Sequence, residues 1–339
     1  MKLWKLTAPH TISLEQSEPT SLTEQNNIKI RIEQVLLGKY DLALYNGVAK
    51  GKYPVVLGKN AVGVVSETLN EHESPFQKMN RVVVEPFIPC GQCPQCLEGS
   101  FTKCANLLEL GYNEDGMLRD FVDLPEGCCH KIPDILSDEK ALFVPYVAFC
   151  LNILDSLDIP KGTHVAVFSS SKIGIIASQL LKYYQCVPIF VSNDEEALKA
   201  AKELGIFYAF NTETDDVKHE VLVATGGRLC DKVIYFANSL YSIKDVLDCC
   251  AFNASICIGG YNTVAGNFPI TKITQKHLNI SGIYNGCGNY PSAINLVATN
   301  KVNVENLIEK TISFDNLDQE LQSLESTDLG YKSLLVKVD

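Results

Sequence analysis

Four cysteines stand within fifteen residues, in the run Cys90-Gly-Gln-Cys93-Pro-Gln-Cys96-Leu-Glu-Gly-Ser-Phe-Thr-Lys-Cys104. Thiolates are soft anionic donors. Two-residue gaps let consecutive sulfurs converge on one tetrahedral ion, and the longer gap closes the loop back onto it. Four sulfur ligands leave no coordination position for water or substrate, so a zinc ion held by Cys90, Cys93, Cys96 and Cys104 would staple a lobe rather than catalyse. An iron-sulfur cluster is the competing metal, and four unligated cysteines are the plain alternative; the spacing favours zinc. The other cysteines of the thirteen are scattered, with neighbours at Cys128/Cys129 and Cys249/Cys250. They form no disulfide framework and read as small buried apolar residues kept reduced. His130, His164, His219 and His277 are dispersed and follow no ligand spacing.

These residues need elements to position them. From Met1 to about Phe149, short β-branched runs (28–37, 62–65, 81–85, 121–124) alternate with Gly, Pro and Asn, which predicts an irregular, mostly β domain. From Lys161 the texture changes to strand (163–168), helix (173–184), strand (187–191) and helix (195–204). Strands at 231–236 and 255–258, with a helix at 242–249 between them, continue the series. Such alternation predicts a parallel sheet covered on both faces. A helix at 291–299 and a closing strand at 333–338 complete the chain.

At 339 residues the chain exceeds the size at which one core stops growing, so two domains are expected. An apolar fraction of 46% with 20% charged residues supports a real core, and a net charge of -11 without a Lys/Arg stripe opposes nucleic acid. No apolar run is read as reaching the roughly 20 residues that span a bilayer, and Met1 to His10 lacks a secretory signal. The expected setting is cytoplasmic, with no membrane partner.

The four cysteines, the Gly111-Tyr-Asn-Glu-Asp-Gly116 run and the strand-Gly-helix unit that follows resemble the zinc-containing medium-chain dehydrogenase/reductase family, in order and over nearly the whole chain. The resemblance implies an α/β fold. A GroES-like, mostly β substrate domain would comprise 1–150 and 285–339, with the zinc lobe at 88–105, and a Rossmann doubly wound parallel sheet would comprise 151–284. It also implies an NAD(P) cofactor, a small-molecule substrate, and a homodimer or homotetramer through the edge strand near 278–284.

Against that family the sequence departs at the catalytic zinc. The first ligand belongs to a Cys-Gly-Thr/Ser-Asp run, which here reads Gly38-Lys39-Tyr40-Asp41. The second belongs to a Gly-His-Glu run, here Gly58-Lys59-Asn60, and the last falls at Val144-Pro145. An ammonium at Lys59 repels a divalent ion, so no catalytic zinc is expected. Tyr40, Lys59 and Asp41 become the candidate catalytic residues, with Tyr40 as an acid whose phenol is favoured in its ionised form by Lys59. The plainer alternative is that Tyr40 packs while Lys59 points to solvent or pairs with Asp41. By analogy, Tyr112 and Asn113 line the same cleft.

The dinucleotide turn is Ser169-Ser170-Ser171-Lys172-Ile173-Gly174, which keeps only the last of three glycines. Candidate cofactor contacts are Ser169, Ser171, Lys172, Ile173 and Gly174, together with Ser192 at the end of the next strand. Ser192 replaces the acid that selects NAD, yet the following Asn193-Asp194-Glu195-Glu196 is a poor seat for a 2′-phosphate, so the sequence leaves the cofactor open. Two functions follow: an NAD(P)H-dependent oxidoreductase without catalytic zinc, acting on a small carbonyl or enone, or a non-catalytic, zinc-stapled binding protein built on the same fold.

Overall fold

Continuous apolar runs in the middle of the chain become interior strands, and runs at its two ends become a mixed, mostly antiparallel sheet. The computed structural model describes residues 1–18, 21–22, 27–69, 72–236, 242–260, 268–323 and 332–338. It divides into two units: Met1–Pro145 with Tyr290–Ala298 and Glu305–Asp339, and Tyr146–Asn289 with Thr299–Val304.

In the first unit the long strand Asn27–Leu37 organises the main sheet, pairing antiparallel with Asn60–Thr68, Ser333–Lys337 and Phe121–Pro125. Ile28, Ile30, Ile32 and Leu36 are buried to 1% exposure or less, the apolar load that a central strand must bury. The register Leu36↔Asn60 has a functional consequence. It sets the segment following Leu37 beside the loop that ends at Lys59. That segment is a seven-residue helix, Lys39–Tyr45. Asp41 drives it by accepting from the backbone N–H of Gly38 at 2.9 Å.

In the second unit six strands form a wholly parallel sheet in the order Tyr208–Asn211, Val187–Ser192, His164–Phe168, Cys230–Phe236, Cys250–Gly259, Asn279–Ile283. The strand order reverses between His164–Phe168 and Cys230–Phe236, the switch point at which doubly wound sheets open a crevice beyond the carboxyl ends of the strands. His164–Phe168 is paired on both sides, and its residues 165–168 are buried to 1% exposure or less. Helices start on side-chain caps, with Asp194 accepting from Ala197, Asp216 from His219 and Ser242 from Asp245.

Among the elements that go beyond the sequence reading are the strand Tyr208–Asn211 and the helix Val217–Ala224. The strand is only four residues long and lies at a sheet edge, so its apolar signal is short. The bilayer reading also needs correcting. Asp138–Leu157 is 20 residues long and apolar enough to cross a membrane by length and composition, but 72% of its apolar window is buried, as in a core helix.

Candidate functional site

The cysteine lobe is built from local geometry. The Sγ atoms of Cys90, Cys93, Cys96 and Cys104 all lie within 4.8 Å of one another. Pro94 opens a one-turn helix, Pro94–Leu97, that presents Cys93 and Cys96 to the same point. Backbone N–H groups are aimed at sulfur: Cys90 donates to Cys104 Sγ at 3.3 Å, and the N–H groups of Ala105 and Cys96 hold the Cys93 thiol down to about 6. Cys90 is lowered in the same way, chiefly by the Gln92 N–H. Cys96, desolvated and crowded by its neighbours, is pushed up to about 12. Donors that favour thiolates and sulfurs that converge fit a four-coordinate zinc ion as the sequence spacing requires.

A second cluster is assembled from distant segments. Lys59 Nζ donates to Glu109 Oε1 and lies 4.7 Å from the centroid of the Tyr40 ring and 5.2 Å from that of Phe87. Tyr112 meets Tyr40 edge-on, with centroids 5.8 Å apart. Glu109 is buried, its side chain 4% exposed. Burial pushes the Lys59 ammonium down to about 8, with the nearby Asp41 carboxylate opposing the shift.

The loops are pinned together by backbone. Asp41 is 3% exposed and accepts from Gly38 N–H and, at 3.1 Å, from Gly58 N–H, tying the start of the Lys39–Tyr45 helix to the Lys59 loop. Its carboxylate thus positions the two loops while its charge still acts on Lys59, and the ion pair closed on Lys59 Nζ is with Glu109. Gly116 lies where a Cβ would stand 2.5 Å from the Gly58 carbonyl oxygen and 2.6 Å from that of Leu57. Only glycine lets the 111–116 run dock on residues 57–58, and that docking delivers Glu109 and Tyr112 to Lys59. Asn113, expected in the cleft, serves the scaffold instead, its amide oxygen accepting from Glu109 N–H at 2.7 Å.

The dinucleotide turn places its polar groups differently from expectation. Ser169 is fully buried, and its Oγ accepts from Ser171 N–H at 3.1 Å. Ser192 is equally buried, and its Oγ accepts from Asp194 N–H at 3.1 Å. Both hydroxyls accept from the backbone of their own turns. Lys172 is 3% exposed with Nζ 4.7 Å from the Tyr146 ring centroid, so its ammonium too is held within the unit. Gly174 does what the last glycine of such a turn must do: a Cβ there would lie 2.3 Å from Ser169 Cβ and 2.9 Å from Phe190 Cε2, so its absence permits close helix-to-strand packing. Ser171 gives the helix Lys172–Tyr183 no side-chain cap, and the Gly174 N–H of its first turn donates to the Ser171 carbonyl at 3.1 Å.

Comparison with known proteins decides the family. An alcohol dehydrogenase GroES-like domain model matches residues 24–134, and a zinc-binding dehydrogenase model matches residues 173–299. The chain belongs to the zinc-containing medium-chain dehydrogenase/reductase family. This is a family of alcohol dehydrogenase-like oxidoreductases. An uncharacterized zinc-type alcohol dehydrogenase-like protein of Haemophilus influenzae is 28% identical over 300 residues, 88% of each chain. Among solved structures, a protein of Sinorhizobium meliloti 1021 assigned as a zinc-binding dehydrogenase and bound to NADP has a TM-score of 0.87 at 23% identity, covering 99% of both chains. A short chain alcohol dehydrogenase of Escherichia coli CFT073 complexed with NADH has the same TM-score and identity, covering 100% of this chain and 99% of its own. At that identity the two structures speak for the fold alone.

Sequence reasoning missed Glu109 in the Lys59 cluster. A signal existed, since an acid inside Leu107-Leu108-Glu109-Leu110 is costly to bury without a partner. It also missed Glu85, whose Oε2 lies 2.9 Å from His130 Nε2, while the His130 ring stacks on Tyr290 with centroids 4.5 Å apart.

Proposed function

We propose that this chain is an NAD(P)H-dependent oxidoreductase that reduces a small carbonyl or enone without a catalytic zinc, the Lys59 ammonium standing in for the metal's charge. One observation carries the reading: Lys59, at the position of the family's second ligand, is held by buried Glu109 against the faces of Tyr40 and Phe87. The donor set at the remaining positions does not suit a divalent ion. Gly38 has no side chain, Asn60 replaces a carboxylate, and Val144 is buried and apolar.

The dinucleotide, when bound, supplies the hydride. Lys59 stabilises negative charge as it develops on the substrate oxygen and donates a proton from Nζ, a transfer suited to an acid near neutrality. Glu109 keeps the ammonium charged and aimed. The rings of Tyr40 and Phe87 confine it and exclude water, and the cation-over-ring contact supports Lys59, rather than the Tyr40 phenol, as the proton donor. Asp41 is the positioning residue that keeps the two loops in register.

The test pairs Lys59→Met with Glu109→Gln, so that no buried charge is left alone. Turnover should fall roughly 10²–10³-fold while dinucleotide affinity stays within about twofold. Unchanged turnover would discard the role of Lys59. The spending of the Ser169 and Ser192 hydroxyls inside their own turns favours a second reading, a zinc-stapled binding protein. That reading prevails if neither NADH nor NADPH raises the thermal midpoint.

A further inference from the structure

The carboxyl edge of the parallel sheet carries a cavity of about 450 Å³. Phe168 ends one strand, Asn193 follows the next, and Thr212 and Glu213 follow the edge strand Tyr208–Asn211, so the cavity opens where doubly wound sheets take the adenosine end of a dinucleotide. Phe168 and Val217 give it an apolar wall suited to a flat heteroaromatic. The rest of the lining is acidic, with Glu213, Asp215, Asp216, Asp245 and Asp248 against the single cation Lys218. Asp248 is already neutralised by an ion pair with Lys272, which leaves four carboxylates to one ammonium.

We infer that the second unit selects NAD(H) over NADP(H), because this acidic cavity rejects a 2′-phosphate. The inference rests on the dinucleotide reading proposed above. A phosphate monoester brings about -1.5 to -2 charges at neutral pH, and a cavity lined by one sign concentrates its field on whatever enters. The adenosine of NAD(H), with neutral ribose hydroxyls, meets no such opposition. Asn193 takes the place adjoining Ser192 where an acid would ordinarily engage those hydroxyls, and its amide can both donate and accept there. No counter-charge is supplied nearby in sequence either, since 237–241, after the neighbouring strand, reads Ala-Asn-Ser-Leu-Tyr without lysine or arginine. The carboxylates do not converge as a cation site would require: among the described residues, ligand atoms of three or more such groups come together at the four cysteines.

The experiment titrates the full chain separately with NADH and NADPH, following nicotinamide fluorescence and thermal midpoint. NADH should bind at least about thirtyfold more tightly. Glu213 is exposed, so Glu213→Lys should fold normally and move the NADPH-to-NADH affinity ratio about tenfold toward NADPH. Equal affinities, a preference for NADPH, or an unmoved ratio in Glu213→Lys would overturn the selectivity and leave the oxidoreductase reading standing. Silence from both nucleotides would remove the two together.

Discussion

The cysteine lobe and the Lys59 cluster sit in the same unit, and each gathers charged or ionisable groups around one point, but they are held by different means. In the lobe, four sulfurs from one fifteen-residue loop converge through turn geometry and a one-turn helix. In the cluster, Tyr40, Lys59, Phe87 and Glu109 come from four separated segments, joined by the Leu36↔Asn60 register, the Asp41 bridge and the glycine contact of Gly116 on Gly58. The first arrangement fits a metal that local spacing can bind. The second is stabilised by burial, and an ammonium that must be partnered when buried has recruited a carboxylate. A metal staple is insensitive to distant packing, whereas a buried ion pair depends on every loop that brings it together.

The largest effect should come from the lobe. Cys96→Ser should lower zinc content from one per chain to none by elemental analysis and destabilise the protein by about 4 kcal/mol or more, since metal loss belongs to the severe class of defects. A retained zinc with an unchanged melting temperature would break the contrast. Next comes the bridge of the cluster. Asp41→Asn leaves one of two backbone donors facing an amide NH₂, so a loss of about 1–3 kcal/mol is expected, with zinc content unaltered. Denaturant unfolding measures the first quantity and elemental analysis the second.

The least direct effect is a pH dependence. Lys59 is lowered to about 8, so the folded chain gives up this proton before the unfolded chain, whose lysine titrates near 10.5. Between those values the unfolded state binds more protons, and Lys59 therefore makes the fold more stable as pH rises from about 8 to 10.5. Turnover should run the other way, with kcat/KM falling above about pH 8 as the acid is lost. Lys59→Arg should carry that fall beyond the measurable range while keeping a cation in place.

How much could be read beforehand depended on how far each signal spread along the chain. Cys90 to Cys104 were legible because ligand spacing is a local property. The strand His164–Phe168 and the helix beginning at Lys172 were legible because their apolar runs and glycine punctuation are local too. The strand Tyr208–Asn211 was not, being four residues at an edge. Glu109 was not, because its meaning lies in a partner fifty residues away in sequence. Ser169 and Ser192 stand out in sequence only by residue type, and that both are buried and accept from their own backbone came from the fold.

By itself the sequence determined the metal-binding lobe, the alternation that forces a parallel sheet, and the loss of ligand types at Gly38 and Lys59, because these follow from residue chemistry and short-range geometry. Tertiary structure alone decided which carboxylate neutralises Lys59, which hydroxyls are spent on turns, and which acids line the cavity at the sheet's edge. Those outcomes arise from contacts between segments far apart in the chain, where burial makes every charge find a partner that spacing cannot name.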